Sequence, residues 1–476
     1  MVHTADVKMG RLLDSVNWRP LLSRARLTPQ VDQVGAVAKK RTNALLLGIA
    51  TGLGSRVLSL AAPLLTIPVT LHYLGSELFG FWMIVASITS MAMFADLGLG
   101  NGLLTRLAAS VAAGDSAQAK RLISTAYITL GAIALALLAI IWIVVPTLNW
   151  AQFIGHSTGL DSSKFKLVAG LCLSAFAVTI PLSLVQRVQY AFQQAWRSNL
   201  WQVAGAVFTV LSVYAAAYLN LGYELVIAAA VFASPCVILL NNICYYSLGH
   251  RDLMPSIRAA SSAAAGSLLR IGLAFFFLSI LTSLSLNADN LIVANVADLK
   301  TVAQYSITTK LFSLLGLAIT LVALPLWPAN GEALARGDTD WVKRTTRTMV
   351  WLSVSSVMFG GLVLTFGRDL IASLWLGDGH SVPLDLALSL ALWSTVMAFA
   401  SPYFSVQNSV GLLRYQYAGW ALFALVSIPL KVALYPLFGL AGIPLAGVLA
   451  YSMFLVPAAV LGYRATIRKV TVASGA

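Results

Sequence analysis

Long apolar segments recur along the whole of this chain, and they restrict its possible folds more than any other feature. Twelve segments of 20 or more mostly apolar residues are separated by short polar connections. Each is long enough to cross a hydrocarbon core of about 30 Å as a helix. Their predicted bounds are 44–71, 79–101, 122–146, 167–191, 199–219, 224–247, 268–296, 302–328, 347–366, 385–409, 416–438 and 441–463. The sequence therefore predicts an all-α polytopic membrane protein of about 12 transmembrane helices.

The placement of charge predicts a cytoplasmic location for both termini. Charged residues make up 10% of the chain, whereas soluble domains carry about 25%. The N-terminal tail and the predicted cytoplasmic loops, with the helix ends beside them, hold 24 basic residues, and the outer loops hold four. This positive-inside bias orients the chain. It also accounts for the net charge of +14 without nucleic acid as a partner.

Two sequence echoes indicate an internal duplication. The pattern G-D-x-x-x-x-K-R at Gly114–Arg121 returns at Gly337–Arg344, 223 residues later. The proline and glutamine of Pro181–Gln186 match those of Pro402–Gln407 at an offset of 221. Repeats of about half the chain length are typical of transporters.

The repeat and the span count together predict the domain organisation. Residues 43–247 form an N-terminal six-helix bundle and residues 268–465 a C-terminal one, joined by a cytoplasmic linker at 248–267. With six spans in each half, the bundles are parallel repeats with a cleft between them. Residues 1–42 form a basic cytoplasmic tail, either an amphipathic surface helix or a disordered segment, and residues 466–476 a second tail.

Four ionisable residues lie at depth in the predicted spans. A charge at such depth costs at least about 2.5–3.5 kcal/mol, so it normally faces a wet cavity or a partner. Arg56, Lys310 and Lys431 are therefore candidate substrate-binding residues. Asp289 lies at the same predicted depth as Lys310, so a structural Asp289–Lys310 pair is the favoured interpretation. The alternative makes Asp289 a proton or sodium site that couples transport to an ion.

The ends of the fourth and tenth spans carry polar candidates of another kind. Gln186 and Arg187 end the fourth span, and Gln407 ends its repeat partner. Amides suit sugar hydroxyls and arginine suits a phosphate, so these residues are candidates for substrate binding. A lipid-headgroup interface would suit the same side chains.

Signals for catalysis, metals and cofactors are weak. The longest predicted outer loop holds no paired carboxylates or nucleophile constellation. Glycine loops of the Walker type are absent from the sequence, and the three cysteines lack metal-ligand spacing. We therefore expect a protein that is not an enzyme and that uses no cofactor or metal.

Two motifs carry a family resemblance over roughly residues 43–465. They are L-G-x-E-x-F-G at Leu74–Gly80 and D-L-G-L-G-N-G-L at Asp96–Leu103, set in two six-helix halves with basic loops. With these features the chain resembles the Wzx-type polysaccharide flippases of the multidrug/oligosaccharidyl-lipid/polysaccharide exporter superfamily. The resemblance implies an inner-membrane protein with a V-shaped, MATE-like fold that opens alternately to each side. Its expected substrate is an undecaprenyl-diphosphate-linked oligosaccharide repeat unit for O-antigen or exopolysaccharide, moved from the cytoplasmic to the periplasmic leaflet. Expected partners are membrane lipids, a polysaccharide polymerase and a chain-length regulator.

Three functions remain open from the sequence. An ion-coupled oligosaccharide-lipid flippase is favoured, because three cations and one acid within the spans suit a diphosphate. A cation-coupled drug or metabolite antiporter of the same superfamily would be expected to have an acidic cavity. A glycan polymerase or glycosyltransferase would need a long outer loop with carboxylates.

Overall fold

A computed structural model describes residues 31–91, 98–148, 162–317, 319, 330–331, 333–334, 337–377 and 381–474. The contacts divide the chain into one unit at Met1–Ala50 and another at Thr51–Ala476. Most of the predicted tail at 1–42 lies outside the described residues. The first helix already begins at Val31. The candidate site lies within the unit Thr51–Ala476.

Every regular element among the described residues is helical. The α-helices are α1 Val31–Met91, α2 Leu99–Ala112, α3 Ser116–Thr147, α4 Ser162–Leu182, α5 Leu184–Ala191, α6 Ala195–Tyr218, α7 Tyr223–Cys244, α8 Ser262–Asn287, α9 Asp289–Val296, α10 Leu299–Phe312, α11 Thr339–Phe366, α12 Arg368–Leu376, α13 Leu384–Ser409, α14 Arg414–Phe438, α15 Gly442–Ala450 and α16 Val456–Ser474. Single π-helical turns follow α7 at Tyr245–Gly249 and α15 at Tyr451–Leu455.

The length and hydropathy of these helices confirm the polytopic all-α fold. Within the described ranges, eight stretches are long and apolar enough to cross a membrane. They are Thr51–Ser90, Ser116–Thr147, Ser162–Ala191, Ala195–Tyr218, Tyr223–Gly249, Thr339–Phe366, Leu384–Ser409 and Arg414–Thr471. The first of these overlaps the first two predicted spans, and the last contains the eleventh and twelfth. The predicted seventh and eighth spans overlap α8, α9 and α10, so each of the twelve predicted spans overlaps helix. Residues 92–97 of the second span, and 318 and 320–328 of the eighth, lie outside the described residues.

Gly75 divides α1 into two arms and forms the predicted first hairpin. Its φ of 73° and ψ of 164° are non-helical, and positive φ is accessible to glycine at little cost. We call the end of the unit that holds the turns at 72–78, 219–222 and 297–298 the Gly75 end. The opposite end, with the turns at 113–115, 192–194, 337–338 and 410–413, is the Gly114 end. A hydrogen bond of 3.1 Å from the backbone N–H of Gly222 to the Tyr73 hydroxyl joins two turns of the Gly75 end.

The G-D-x-x-x-x-K-R repeat has the same local structure in both halves. Gly114 and Gly337 have φ of 71° and 78°. The carboxylates of Asp115 and Asp338 accept the backbone N–H three residues ahead, at 2.8 and 3.0 Å. The backbone N–H of each aspartate donates to the carbonyl five residues behind, at 3.0 and 2.9 Å. Each motif therefore ends one helix and caps the next.

The second echo is displaced by one helical turn. The carbonyl of Gln189 accepts the N–H of Gln194 at 2.8 Å, and that of Gln407 accepts the N–H of Leu412 at 3.0 Å. The structure thus makes Gln189, rather than Gln186, the counterpart of Gln407. The sequence match failed because glutamines three residues apart lie on one helix face and give two registers.

The buried apolar residues join the two halves at both ends, but through more elements at the Gly75 end. At the Gly75 end, one cluster contains Phe79 and Val168 of the N-terminal half together with Val302 and Leu386 of the C-terminal half. At the Gly114 end, a cluster that extends from Leu99 to Leu253 also takes in Ala264 and Leu268 at the start of α8. A separate cluster at this end is formed by Leu334, Val342, Val406 and Ile467. Among the described residues, the apolar packing that joins the halves at the Gly114 end therefore involves α8 alone of the C-terminal half.

Candidate functional site

A helix break places two polar side chains in the last third of the predicted seventh span, toward the Gly75 end. α8 ends at Asn287 and α9 begins at Asp289, which is followed by Asn290. Asp289 turns toward helices of its own half, whereas Asn290 turns toward the N-terminal half. The two neighbours therefore connect different parts of the unit.

Asp289 pairs with Lys431, and the predicted Asp289–Lys310 pair is wrong. The Lys431 ammonium in α14 lies 2.5 Å from one carboxylate oxygen of Asp289 and 3.5 Å from the carbonyl of Ser285. The Tyr305 hydroxyl in α10 donates to the other oxygen at 2.7 Å. Depth alone suggested Lys310, but the direction in which each helix presents its side chains decides the partner. The Lys431 side chain is 4% exposed and that of Asp289 25%.

Asn290 links the two halves. Its amide nitrogen donates to the Ser87 hydroxyl at 2.9 Å and to the Met83 carbonyl at 3.4 Å, both in the second arm of α1. Its amide oxygen accepts the Ser306 hydroxyl of α10 at 2.9 Å. Sequence reasoning did not select Asn290, Ser87 or Tyr305. Their only signal was a polar side chain inside an apolar segment.

Two glycines from the family-like motifs allow a close approach between the halves. A Cβ on Gly80 would lie 2.0 Å from the carbonyl oxygen of Leu299, and one on Gly102 would lie 2.5 Å from that of Leu268. Between these points, the Ser283 hydroxyl donates to the Ser90 carbonyl at 2.8 Å. We call this antiparallel contact of the second arm of α1 and of α2 with α8, α9 and the start of α10 the seam.

Further contacts reinforce the seam at the Gly75 end. Glu77, from the first of those motifs, lies 3.7 Å from the Lys300 ammonium. Both side chains are partly exposed, so this pair contributes at most about 1 kcal/mol. The Trp375 indole in α12 donates to the Leu64 carbonyl in the first arm of α1 at 2.6 Å. The halves are thus tied at this end by ionic, hydrogen-bonding and apolar contacts.

Arg56 is exposed on a helix face that is buried further along. Ile67 and Thr70 lie 11 and 14 residues beyond it on the same face of α1, and they are 4% and 0% exposed. Arg56 itself and Ser59, one turn on, are exposed. Arg56 forms no ion pair with any described residue. This face of α1 is therefore buried near the Gly75 end and exposed nearer the Gly114 end.

Lys310 repeats this arrangement in the other half. Ala303, Ser306 and Ile307, on the same face of α10 toward the Gly75 end, are 2%, 3% and 6% exposed. Lys310 is exposed and, like Arg56, lacks an ion-pair partner within the described parts of the chain. Within the described residues, Arg56 and Lys310 thus each lack an ion-pair partner and lie on a helix face that is buried further toward the Gly75 end.

The remaining candidates separate into accessible and inaccessible groups. Gln186 and Arg187 are half-buried in α5. Gln407 is fully buried; its amide donates to the Ala459 carbonyl at 2.8 Å and packs where Gly462 leaves space. Lys431 is occupied by Asp289. Gln407 and Lys431 are therefore not available to a substrate in this state, because Gln407 is fully buried and Lys431 is buried and paired with Asp289.

The helices and the polar seam between the halves are those of a polytopic membrane protein. Residues 45–329 match the model of a family described as "Polysaccharide biosynthesis protein". The chain belongs to this family. Residues 274–437 also match a second model, described as MatE. The resemblance to polysaccharide flippases of the multidrug/oligosaccharidyl-lipid/polysaccharide exporter superfamily is confirmed.

Relatives support the same family, and solved structures share the fold. A "Putative O-antigen export protein" of Yersinia pseudotuberculosis is 21% identical over 77% of this chain and 83% of its own. A "Probable flippase AglR" of Haloferax volcanii is 24% identical over 80% and 76%. A multidrug resistance MATE family transporter solved in an inward-facing conformation has a TM-score of 0.69 at 15% identity, covering 86% of this chain and 95% of its own. An outward-facing one has a TM-score of 0.65 at 12%, covering 92% and 97%. The predicted MATE-like fold is confirmed.

Proposed function

We propose that this transporter flips polyprenyl-diphosphate-linked oligosaccharide repeat units across the bacterial inner membrane for surface polysaccharide export. The observation that carries the proposal is the pair of free cations, Arg56 and Lys310, presented on inward faces by opposite halves. A diphosphate offers several acceptor oxygens to two such groups, and charge-assisted hydrogen bonds are among the stronger ones. The names of the relatives, which refer to O-antigen export and to a flippase, support the same substrate class.

The two cations also suggest how binding changes the conformation. Because they belong to different halves, a diphosphate held between them draws the halves together near the Gly114 end. A ligand shifts a conformational equilibrium only by its differential affinity for the two states. Binding between the halves supplies that difference. Alternating access then follows from closing the Gly114 end while the seam opens at the Gly75 end.

The distribution of charge supports a cytoplasmic Gly114 end. The repeated G-D-x-x-x-x-K-R motifs lie there, and Arg106, Arg121, Lys343 and Arg344 are exposed. The positive-inside tendency places such residues in the cytoplasm, together with both termini. In this orientation the inward faces of Arg56 and Lys310 open toward the side on which repeat units are assembled.

The polyprenyl tail would remain in the bilayer during transport. Each buried methylene contributes about 0.8 kcal/mol, so drawing the tail into a charged cavity would be costly. Gly80, Gly102 and Asn290 close the seam along its length. The tail passage is therefore on the opposite side, near the first arm of α1 and α10. A polysaccharide polymerase and a chain-length regulator are the partners we expect for the exported units.

The test is complementation of a flippase-deficient strain with alanine variants of the two cations. Arg56→Ala and Lys310→Ala should each reduce glycan export at least tenfold at normal membrane levels, because a lost charged hydrogen bond costs about 1.5–3 kcal/mol. Arg56→Lys and Lys310→Arg should retain more export than the alanine variants. Arg468→Ala, an exposed cation at the end of α16, is the matched control and should export normally.

The outcome is decisive in either direction. Full export by both alanine variants would exclude the cations from substrate binding and remove the main support for a diphosphate substrate. Loss of export in Arg468→Ala as well would point to a general effect of surface charge instead.

A cation-coupled drug or metabolite antiporter is the second candidate. The match of residues 274–437 to the MatE model favours it. Such a protein should produce proton or sodium flux in vesicles when an organic cation is added. We assign ion coupling in either case to Asp289, the acid at the break between α8 and α9.

A further inference from the structure

Lys431 is the least exposed charged side chain in the transport unit, judged on the residues that the structure describes. It lies in α14, while the oxygens around its ammonium come from α8 and α9. Isolated buried ammonium groups are costly, so this one is held by its partners. Its role is not substrate binding, because the ammonium is turned away from open space and into the Asp289 carboxylate.

The oxygen atoms around the Lys431 ammonium are of the kinds that also coordinate small metal cations. One carboxylate oxygen of Asp289 and the backbone carbonyl of Ser285 contact it, and the Tyr305 hydroxyl fixes the second carboxylate oxygen. Hard monovalent and divalent cations prefer carboxylate, carbonyl and hydroxyl oxygens. The Ser285 carbonyl and the Asp289 carboxylate also lie beside the break between α8 and α9, and ion sites of transporters occur at such helix discontinuities. The position therefore has the chemistry of a cation site that is already filled by a lysine.

We propose that the Lys431 ammonium is a tethered occupant of a monovalent-cation site on Asp289, and that this occupant keeps the seam closed at the Gly75 end. The proposal deepens the proposed function, since it specifies the ion-coupling group, but it concerns the protein without substrate. A metal cation is not needed at Asp289 while Lys431 is present.

Asn290 couples the pairing of Asp289 to the closure of the seam. It follows Asp289 in the first turn of α9, and its amide bonds to Ser87 and Met83 of the other half. The pair with Lys431 fixes the rotation of α9, and this rotation aims the Asn290 amide at the seam. If Asp289 is released, α9 can turn and the hydrogen bond to Ser87 is lost. The neighbouring contact of Gly80 with Leu299 is then free to open.

A site filled in this way should not depend on an added metal cation. The Lys431 ammonium contacts one oxygen of the Asp289 carboxylate, and the Tyr305 hydroxyl donates to the other. Sodium should therefore have no effect on the parent protein. A variant that lacks the ammonium should need sodium at Asp289 to keep the seam closed.

The experiment reads seam closure directly in purified protein in lipid nanodiscs. Cys172, Cys236 and Cys244 are replaced by alanine, and bimane is attached at Lys300→Cys. A quenching tryptophan is placed at Glu77→Trp, because the native side chains approach to 3.7 Å. Glu77→Phe gives the unquenched level. Quenching is compared in sodium chloride and choline chloride at equal ionic strength.

The parent protein should show equal quenching in sodium and choline. Lys431→Ala vacates the site, so quenching should fall toward the Glu77→Phe level in choline and recover in sodium. Lys431→Met fills the space without charge and should fail to recover. Asp289→Asn removes the anion and should lose quenching in both salts.

Four results would overturn the proposal. Sodium dependence of the parent would mean that Lys431 does not fill the site. Parental quenching in Lys431→Ala in choline, or in Asp289→Asn, would mean that the pair does not hold the seam. Absence of sodium recovery in a folded Lys431→Ala protein would mean that the oxygens do not form a cation site. If the alanine variant does not fold, the parent and Asp289→Asn still decide the claim. No substrate is used, so a failure here and a failure of the flippase assignment are distinguishable.

Discussion

Gly80→Ala tests the seam most sharply, because the change adds a single methyl group at the closest contact between the halves. The new Cβ would lie 2.0 Å from the Leu299 carbonyl oxygen and 2.9 Å from the carbonyl carbon. Both are backbone atoms and cannot rotate away. The two helices must separate by about 1.4 Å to bring the first distance to an ordinary 3.4 Å.

Such a displacement is larger than the neighbouring polar contacts tolerate. The Asn290–Ser87 hydrogen bond of 2.9 Å and the Glu77–Lys300 distance of 3.7 Å would both be lengthened beyond useful range. Overpacking of a close contact costs about 1–3 kcal/mol. Since the cost falls on the state closed at the Gly75 end, the equilibrium should move about 5- to 150-fold toward opening there.

The assay is labelling of a single cysteine at Ala303→Cys, a position beside Gly80 that is 2% exposed, by a membrane-impermeant reagent in whole cells, with glycan export measured in parallel. Gly80→Ala should label faster and export less. Gly54→Ala on the same helix and Gly131→Ala on α3 are matched controls, because a Cβ there meets nothing within 4 Å. Parental labelling and parental export in Gly80→Ala would refute the argument that the seam is closed by backbone proximity.

Two further changes test assignments made on buried geometry. Gln407→Ala removes a buried amide and its bond to Ala459, so thermal unfolding in detergent should report a loss of about 1–2 kcal/mol, while export per folded molecule is unchanged. Gln186→Ala changes a half-buried side chain without this bond and should leave the unfolding temperature unaltered. A larger loss of stability in Gln186→Ala than in Gln407→Ala would contradict the structural assignment of Gln407. Asp115→Ala and Asp338→Ala should each lower stability by about 0.5–2 kcal/mol and by similar amounts, since both carboxylates cap a helix in the same way. Asp340→Ala removes an exposed carboxylate in the first turn of α11 that pairs with Lys343 and caps no backbone N–H, so it should lower stability less than either cap variant. Unequal effects of the two caps would weaken the structural repeat.

The local part of the repeat could be predicted from sequence because its chemistry is local. Glycine at positive φ followed by a capping aspartate requires only a few consecutive residues, so the pattern at Gly114 and Gly337 was recognisable without a fold. The glutamine register was not. Gln186 and Gln189 lie one turn apart on one helix, and only the hydrogen bonds at the following turn distinguish them.

The candidate site was predicted only in part, for a similar reason. Depth in the membrane identified Arg56, Lys310, Lys431 and Asp289 as residues that need a cavity or a partner, because a charge in hydrocarbon is costly wherever it points. Depth does not predict toward which neighbouring helix a side chain points. It therefore could not tell that Lys310 is exposed and that Lys431 pairs with Asp289.

The sequence by itself determined the class of fold, and its basic loops predict the orientation in the membrane. Hydropathy and charge act residue by residue along the chain, and each helix satisfies its own backbone hydrogen bonds in lipid. Only the tertiary structure decided what the glycines of the family-like motifs do. Gly80 and Gly102 are ordinary positions in an apolar helix until another backbone approaches within 3 Å, and that approach is set by residues about 170–220 positions away. The helix rotations that bring Asp289 to Lys431 and Asn290 to Ser87 were decided at the same level, because the packing of all the helices fixes them together.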